Sequence, residues 1–366
     1  MTEALKQTPL HAAHVALGAK MVAFAGWEMP VQYPTGILAE HRAVREGVGI
    51  FDVSHMGEFE VTGPDRNAFV NRITCNDVGA LGPGGVQYSA LLRADGTIVD
   101  DCTTYRFDDK VMVVVNAANI EKDWAHIVDQ KGGINVRLKN ISDNVGLLAL
   151  QGPRAEALLQ PFSTTKLSDI AYYHFAVGDV AGAMCFISRT GYTGEDGFEL
   201  YCRSSDTVKI WETLTGAGAV PIGLGARDSL RLEMGYALYG NDIDDTTTPL
   251  EAGLNWIVKL DKGSQFMGDQ ALRLQKQVGV SRQLVGFELA GKAFPRPGYS
   301  VWCDGRQVDT VRSGTMSPTL GKPIGTTYLP KASAKVGSTF QVEVRGERLP
   351  ATVVKKPFWT GGSIRK

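Results

Sequence analysis

The stretch Val86-Gln-Tyr-Ser-Ala-Leu-Leu-Arg-Ala-Asp-Gly-Thr-Ile-Val-Asp-Asp-Cys-Thr-Thr-Tyr-Arg-Phe107 holds two strand-like runs joined at Ala94-Asp95-Gly96. That turn signal between alternating runs predicts an antiparallel β-hairpin. Neighbouring strand residues point to opposite faces, so Asp100 and Asp101 cannot both enter one cavity and only one of them can act there. With a loop over 93–96, Tyr88 stands directly opposite Asp101. With a loop of Asp95-Gly96 alone, Tyr88 pairs with Thr103 and lies diagonal to Asp101. Either register puts Tyr88 and Asp101 on one face. A carboxylate beside an aromatic on an otherwise apolar strand is costly to desolvate without a partner, which suggests a site for a cationic or N–H-bearing ligand. Spacing alone leaves open the alternative that Asp101 faces solvent.

Outward from the hairpin, turns recur throughout the chain. The 42 glycines exceed the usual share of about 7% and cluster at Gly82-Pro83-Gly84-Gly85, Asp95-Gly96 and 191–197. Between them lie helical patterns: 37–46 carries Ile37, Leu38, His41 and Val44 on one face and stops at Gly47, and 225–236 repeats the periodicity. From about Gln283 onward helix signals vanish and alternating runs (LVGFEL, YSVWC, FQVEVR, ATVVK) are punctuated by turn residues. The class is α+β and multidomain, as 366 residues exceed what one core normally fills. The expected division is 1–280, built of two interleaved α+β subdomains, and 281–366, an all-β domain. The Gln-, Lys- and Gly-rich segment 260–279 is the expected junction.

Charge and composition exclude several functions. The formal charge of -1, from 38 basic and 39 acidic residues, has no block of like charge to track a phosphate backbone or an anionic membrane. No apolar run reaches the roughly 20 residues of a bilayer span, and MTEALKQTPLHAAH lacks a signal or transit pattern, so a cytoplasmic, bacterial-type protein is expected. Five scattered cysteines without a C-x-x-C pair argue against disulfides and zinc. His11 and His14 have a ligand-like spacing but read as a surface pair at a helix start. Gly286-Phe-Glu-Leu-Ala-Gly291-Lys292 imitates a Walker A loop, yet Ala293 stands where Ser or Thr must hold Mg²⁺ and 285–289 reads as a strand. Gly223-Leu-Gly225 lacks the third glycine of a dinucleotide fingerprint, which is Asp228.

Two further segments offer charged groups. In Ser188-Arg-Thr-Gly-Tyr-Thr-Gly-Glu-Asp-Gly-Phe-Glu-Leu-Tyr201 a glycine-rich turn feeds a strand over 197–202. Phe198, Leu200 and Cys202 share one face of it, and Glu199 and Tyr201 the other. There Glu199 has the oxygens to accept two parallel hydrogen bonds from an N–H/NH₂ edge, unless that face is simply solvated. Glu195 sits in the turn. In Gly223-Leu-Gly-Ala-Arg-Asp-Ser-Leu-Arg-Leu-Glu-Met-Gly-Tyr236, Asp228 is placed to cap a helix and Arg227 and Arg231 share an i, i+4 face. Arg227 would sit at the helix mouth. The alternative is one surface ion-pair network of these arginines with Glu233 and Asp228.

Together with MVAFAGWEMP (21–30), Gly49-Ile-Phe-Asp-Val-Ser-His-Met-Gly57, Asn116-Ala-Ala-Asn119, Leu238-Tyr-Gly-Asn-Asp242, Arg312-Ser-Gly314 and Ser317-Pro318, these segments resemble the T-protein family of glycine cleavage aminomethyltransferases over the whole chain. The resemblance implies a cloverleaf-like arrangement around a central folate channel, with a ferredoxin-like part and a C-terminal β-barrel-like domain. It implies transfer of the methylene carbon of an aminomethyl group, carried on the lipoyl arm of H-protein, to tetrahydrofolate, releasing ammonia and dihydrolipoyl H-protein. Tetrahydrofolate is then a co-substrate, and no metal or flavin is called for. The family's catalytic aspartate, the second of a pair, maps to Asp101, and its pterin-binding glutamate to Glu199. Arg227, Tyr88 and Tyr236 are implied in the folate site, Met56 along the channel, and Arg365 from the C-terminal tail. Gly96-Thr97 departs from the Gly-Gly that many relatives carry, which puts the local geometry near Asp101 in question.

Overall fold

The computed structural model describes the backbone of residues 4–365 and the side chains of 4–364. The hairpin forms as Val86–Leu92 against Ile98–Arg106, with Tyr88 opposite Thr103 and Ala90 opposite Asp101. This is the register of the short loop, carried past the turn by an irregularity between Leu91 and Leu92 that leaves Val99 unpaired. At the turn Gly96 has φ 83, a conformation glycine adopts without the Cβ penalty. Asp95 Oδ1 accepts from both the amide of Thr97 (3.0 Å) and its hydroxyl (2.7 Å). The Thr97 departure is therefore absorbed as a turn contact, and the strand runs on to Arg106.

The hairpin is one edge of a five-stranded antiparallel sheet in the order Val86–Leu92, Ile98–Arg106, Lys110–Val115, Gly57–Thr62, Arg137–Asn140. The helices Arg66–Ile73 and Ile120–Asp129 cover one face, over a core that includes Phe59, Phe69, Val113 and Ile127. A second sheet runs Phe175–Val180, Ala183–Ser188, Gly197–Arg203, Val145–Gln151, Gly49–Asp52, Val220–Ile222, its last two strands parallel. Tyr105 and Met112 from the first sheet and Tyr201 and Ala149 from the second meet in a shared core. Strand alternation explains this meeting: Leu200 and Phe198 turn outward to pack with Trp211 and Ile187, so Tyr201 and Glu199 are delivered to the inner side.

The C-terminal runs form a seven-stranded antiparallel sheet from Arg306–Thr310 round to Ser313–Met316. It curls until Asp309, on its first strand, accepts from the amide of Tyr328 (2.8 Å) on its sixth. Phe287, Phe340 and Val342 fill the inside. The segment expected as a junction is packed. Its Asp269–Val278 helix turns Leu272 inward against Leu92, Ile98 and Phe266, and Gln270, Lys276 and Gln277 are on its solvent side. The helix ends at Gly279 (φ 87) and the curled sheet begins at Arg282.

The helix over 37–46 has the expected bounds, but its inward residues are Glu40, His41 and Val44, and Leu38 is 66% exposed. Glu40 takes the inward place because its carboxylate accepts from the amides of Tyr33 (2.6 Å) and Gly223 (2.7 Å). Gly223 is the N-cap of helix Leu224–Glu233, so a neighbouring glutamate serves that helix start. Asp228 does not cap it; it lies mid-helix and accepts from Arg231. The two histidines of 11–14 also part company: His11 meets Glu28, and His14 is fully buried between Asp52 and Tyr33.

Candidate active site

Strand geometry sends the two adjacent aspartates apart. Asp100 is fully buried on the helix-facing side, where it accepts from the Asn116 amide N–H (2.9 Å), Asn116 Nδ2 (2.8 Å) and Asn119 Nδ2 (2.8 Å). Asp101 faces a cavity of about 190 Å³, whose lining includes Met56, Tyr88, Asn116, Tyr192, Glu199 and Arg227. Tyr88 donates to Asp101 Oδ2 (2.9 Å), and Asn116 Nδ2 donates to Oδ1 (2.8 Å). Burial and the neighbouring Asp100 charge together lift Asp101 to about 7, against the opposing pull of these two hydrogen bonds.

Glu199 enters the same cavity from the second sheet. It sits opposite Ser188 and Ala149 in the strand register, and Thr190 donates to one of its oxygens. Burial pushes its carboxyl upward, while the Thr190 hydrogen bond and the Arg227 charge pull back. Arg227, in the first turn of helix Leu224–Glu233, lies over the Tyr192 ring (4.7 Å to its centroid). The loop carrying Thr190 and Tyr192 is tight by necessity: at Gly194 (φ +80) a Cβ would come within 2.3 Å of Met234 Sδ.

A larger space of about 690 Å³ adjoins the first and shares Tyr88, Tyr173, Gly191 and Tyr192 with it. Its walls are aromatic. Tyr88 stacks on Trp256 (5.8 Å, 25°) and Tyr192 on Tyr236 (5.8 Å, 23°). The C-terminal part contributes Leu284, Lys356 and Pro357. Burial holds the Lys356 ammonium below its usual range.

The structure thus brings Asp101, Glu199, Arg227, Tyr88 and Met56 to one cavity and Tyr236 to the adjoining one. Glu195 is excluded from both. It is buried and bound by Arg45 (3.0 Å) and the Ser363 amide (2.9 Å). The side chain of Arg365 lies outside the described residues. Arg231 is no surface residue: it is 1% exposed and held by Asp242, Asp228 and Ser313. Sequence reasoning did not assign roles to Asn116, Thr190, Tyr192, His55 and Lys356. The first two become visible only once the carboxylates they hold have been placed. His55 lines the inner cavity, and burial drops its imidazole to about 4, which keeps it neutral.

A mixed α/β chain that encloses an acid-bearing, aromatic-walled cavity, with a curled β-sheet appended at its C-terminus, matches two known domain types in succession. Residues 10–262 match the GCVT N-terminal domain and residues 282–359 the glycine cleavage T-protein C-terminal barrel domain. An aminomethyltransferase of Chloroherpeton thalassium is 51% identical over 360 residues, covering 97% of this chain and 99% of that one. One from Bacteroides fragilis is 48% identical, covering 97% and 99%. The crystal structure of the glycine cleavage system aminomethyltransferase T from Bartonella henselae superposes with a TM-score of 0.92 at 35% identity, covering 97% of this chain and 98% of that one. The chain belongs to the glycine cleavage T-protein family. Its activity is that of a tetrahydrofolate-using aminomethyltransferase of the glycine cleavage system.

Proposed function

We propose that Asp101 is the catalytic carboxylate of this transfer and that Glu199, with Arg227 beside it, holds the pterin of tetrahydrofolate. The supporting observation is that Asp101 and Glu199, delivered by two different sheets, line one buried cavity while Asp100 and Glu195 are turned away from it. In the reaction, the aminomethyl carbon loses its bonds to the lipoyl sulfur of H-protein and to nitrogen and gains bonds to N5 and N10 of the folate. Two N–H protons leave the folate nitrogens, and sulfur and ammonia take up two. A buried carboxylate stabilises the cationic character at that carbon and orients the attacking nitrogen. Held near 7, Asp101 is also suited to accept one of those protons and return it.

Glu199 presents two oxygens to the 2-amino and N3–H edge of the pterin, with Thr190 fixing its orientation. Tyr88, Tyr192, Tyr236 and Trp256 offer flat apolar surface to the aminobenzoyl ring. At the outer wall Lys356 is placed to meet the glutamate carboxylates. The wider reading is a cloverleaf-like arrangement around a folate channel, with a ferredoxin-like part, divided at 280/281.

The test is a pair of variants assayed with aminomethylated H-protein and tetrahydrofolate. Asp101→Asn lowers kcat by about 10²- to 10⁴-fold with tetrahydrofolate affinity nearly kept. Glu199→Ala weakens tetrahydrofolate binding by about 10- to 100-fold. A wild-type rate for Asp101→Asn would remove Asp101 from the chemistry.

A further inference from the structure

Behind the site stands a buried acid that the transfer chemistry does not use. Helix Ile120–Asp129 packs on the hairpin sheet with Ile120, Asp123 and Ile127 as its buried residues, so Asp123 occupies a core-facing position between two isoleucines. It is 0% exposed, and neither of its carboxyl oxygens meets a donor among the described residues. A bare carboxylate in such a place is prohibitively costly. Four residues before it, Asn119 is bound to another buried acid, Asp100, whose charge bears on Asp123. Asp100 already accepts three N–H donors, from Asn116 and Asn119. Asn116 in turn spans the two aspartates, its Nδ2 lying 2.8 Å from Asp100 Oδ1 and 2.8 Å from Asp101 Oδ1.

We propose that Asp123 is carried as the neutral acid and donates its proton to Asp100, so that Asp123, Asp100, Asn116 and Asp101 form one hydrogen-bonded chain that positions the reacting carboxylate. Asp123 is a positioning residue: it acts through Asp100 and Asn116 and touches no substrate. Each link has one direction. The Asp123 hydroxyl donates to Asp100, and the Asn116 amide donates one hydrogen to Asp100 and one to Asp101. The amide is thereby held with its nitrogen toward both acids, and Asp101 Oδ1 has a fixed donor. The charged and titratable groups around Asp123 agree with a retained proton. Asp100 and Cys102 face it from the strand Ile98–Arg106, the Asp101 charge acts on it from the other face of that strand, and Lys122 adjoins it on its own helix. Burial and the Asp100 charge push Asp123 up to about 11, and Lys122 opposes them only in part.

The step from chain to catalysis rests on Asp101 as the reacting carboxylate, but the protonation of Asp123 does not, so the two are tested separately. The full-length protein is compared with Asp123→Asn, whose amide can donate to Asp100 as the acid does, and with Asp123→Leu and Asp123→Ala, which cannot. In the infrared difference spectrum between wild type and Asp123→Asn at pH 8, a protonated carboxyl carbonyl band belonging to the wild type is expected. Glu58, also buried without a donor, contributes equally to both proteins and cancels. Carboxylate bands alone in that difference would overturn the proposal.

The pH dependence of stability supplies a second readout. A folded-state value raised from the ordinary range near 4 to about 11 gives stability that is complete below the lower value and lost as pH rises toward the upper one. The Tm of wild type relative to Asp123→Asn therefore falls steadily from pH 5 to pH 9. Parallel Tm curves would contradict a retained proton. In the transfer assay, Asp123→Asn keeps kcat within about twofold, whereas whichever apolar variant melts cooperatively loses on the order of 10- to 100-fold in kcat at unchanged tetrahydrofolate affinity. Full kcat in a folded apolar variant would overturn the positioning role. An active Asp101→Asn alongside an intact infrared band would instead mark the assignment of Asp101 as the error.

Discussion

A carboxyl lifted to about 7 changes its charge within the range where the enzyme is assayed, and both consequences have a definite sign. If the anion stabilises the cationic carbon, kcat/KM rises with pH through about 7 and falls roughly tenfold per pH unit on the acid side. A steady-state profile from pH 5.5 to 9 checks this; a profile flat across 7 would show that the ionisation of Asp101 does not limit the reaction. The same shift acts on stability in the opposite sense. Because the folded value lies above the unfolded one, wild type loses stability as pH rises through about 7. The Tm of Asp101→Asn should therefore gain on wild type between pH 5 and pH 8. Activity improving while stability declines over one pH interval is the signature of a strained functional acid, and an ordinary surface aspartate would give neither trend.

At the scale of elements, what was legible in the sequence follows from the range of the interactions concerned. The hairpin was legible because alternation and an Asp-Gly turn are local. The same-face pairing of Tyr88 and Asp101 followed from the period of a strand, and the hydrogen bond between them realises it. The face of Glu199 was legible for the same reason. Asn116 was not, because its role depends on the strand Lys110–Val115 ending beside Asp100. Nor was the inward turn of Glu40, whose partners include Gly223, 183 positions away. The packed helix at 269–278 was hidden by its own solvent face.

Arg231 shows the cost of judging charge from spacing. One reading of the sequence puts it in a surface ion-pair network; it is instead the bolt between helix Leu224–Glu233 and the curled sheet, gripping Asp242 (2.7 Å) and Ser313 (2.8 Å). Asp242 also accepts from Ser313 and Thr326. Arg231→Leu leaves Asp242 buried without its cation, and a loss of about 3–5 kcal/mol in unfolding free energy is expected. Denaturant melts measure it. A loss below about 1 kcal/mol would place this pair among the weak surface contacts after all.

At the scale of the molecule, the outer space is walled by parts of the chain that lie far apart in sequence: Tyr88 and Tyr173 on one side, Leu284, Lys356 and Pro357 on the other. The last segment then continues across the N-terminal part, stacking Trp359 on Arg45 (3.9 Å) and tying Ser363 to Glu195. This route holds Lys356 at the cavity wall, where its stem is confined: a Cβ on Gly235 would come within 2.9 Å of its Cδ, and one on Gly286 within 2.8 Å of its Cγ. An ammonium held below its usual range by burial destabilises the free protein, and an incoming carboxylate relieves that cost. Lys356→Met keeps the apolar stem and removes the charge. Its Tm should not fall, its kcat should stay within about twofold, and its KM for tetrahydrofolate should rise on the order of 10-fold, the weight of one charge-assisted hydrogen bond. Tetrahydropteroate, which has the pterin and aminobenzoyl groups but no glutamate, separates charge from packing. If Lys356 reads the glutamate carboxylates, the substitution leaves tetrahydropteroate affinity unchanged. An equal loss for both ligands would mean that Lys356 acts only by shaping the wall.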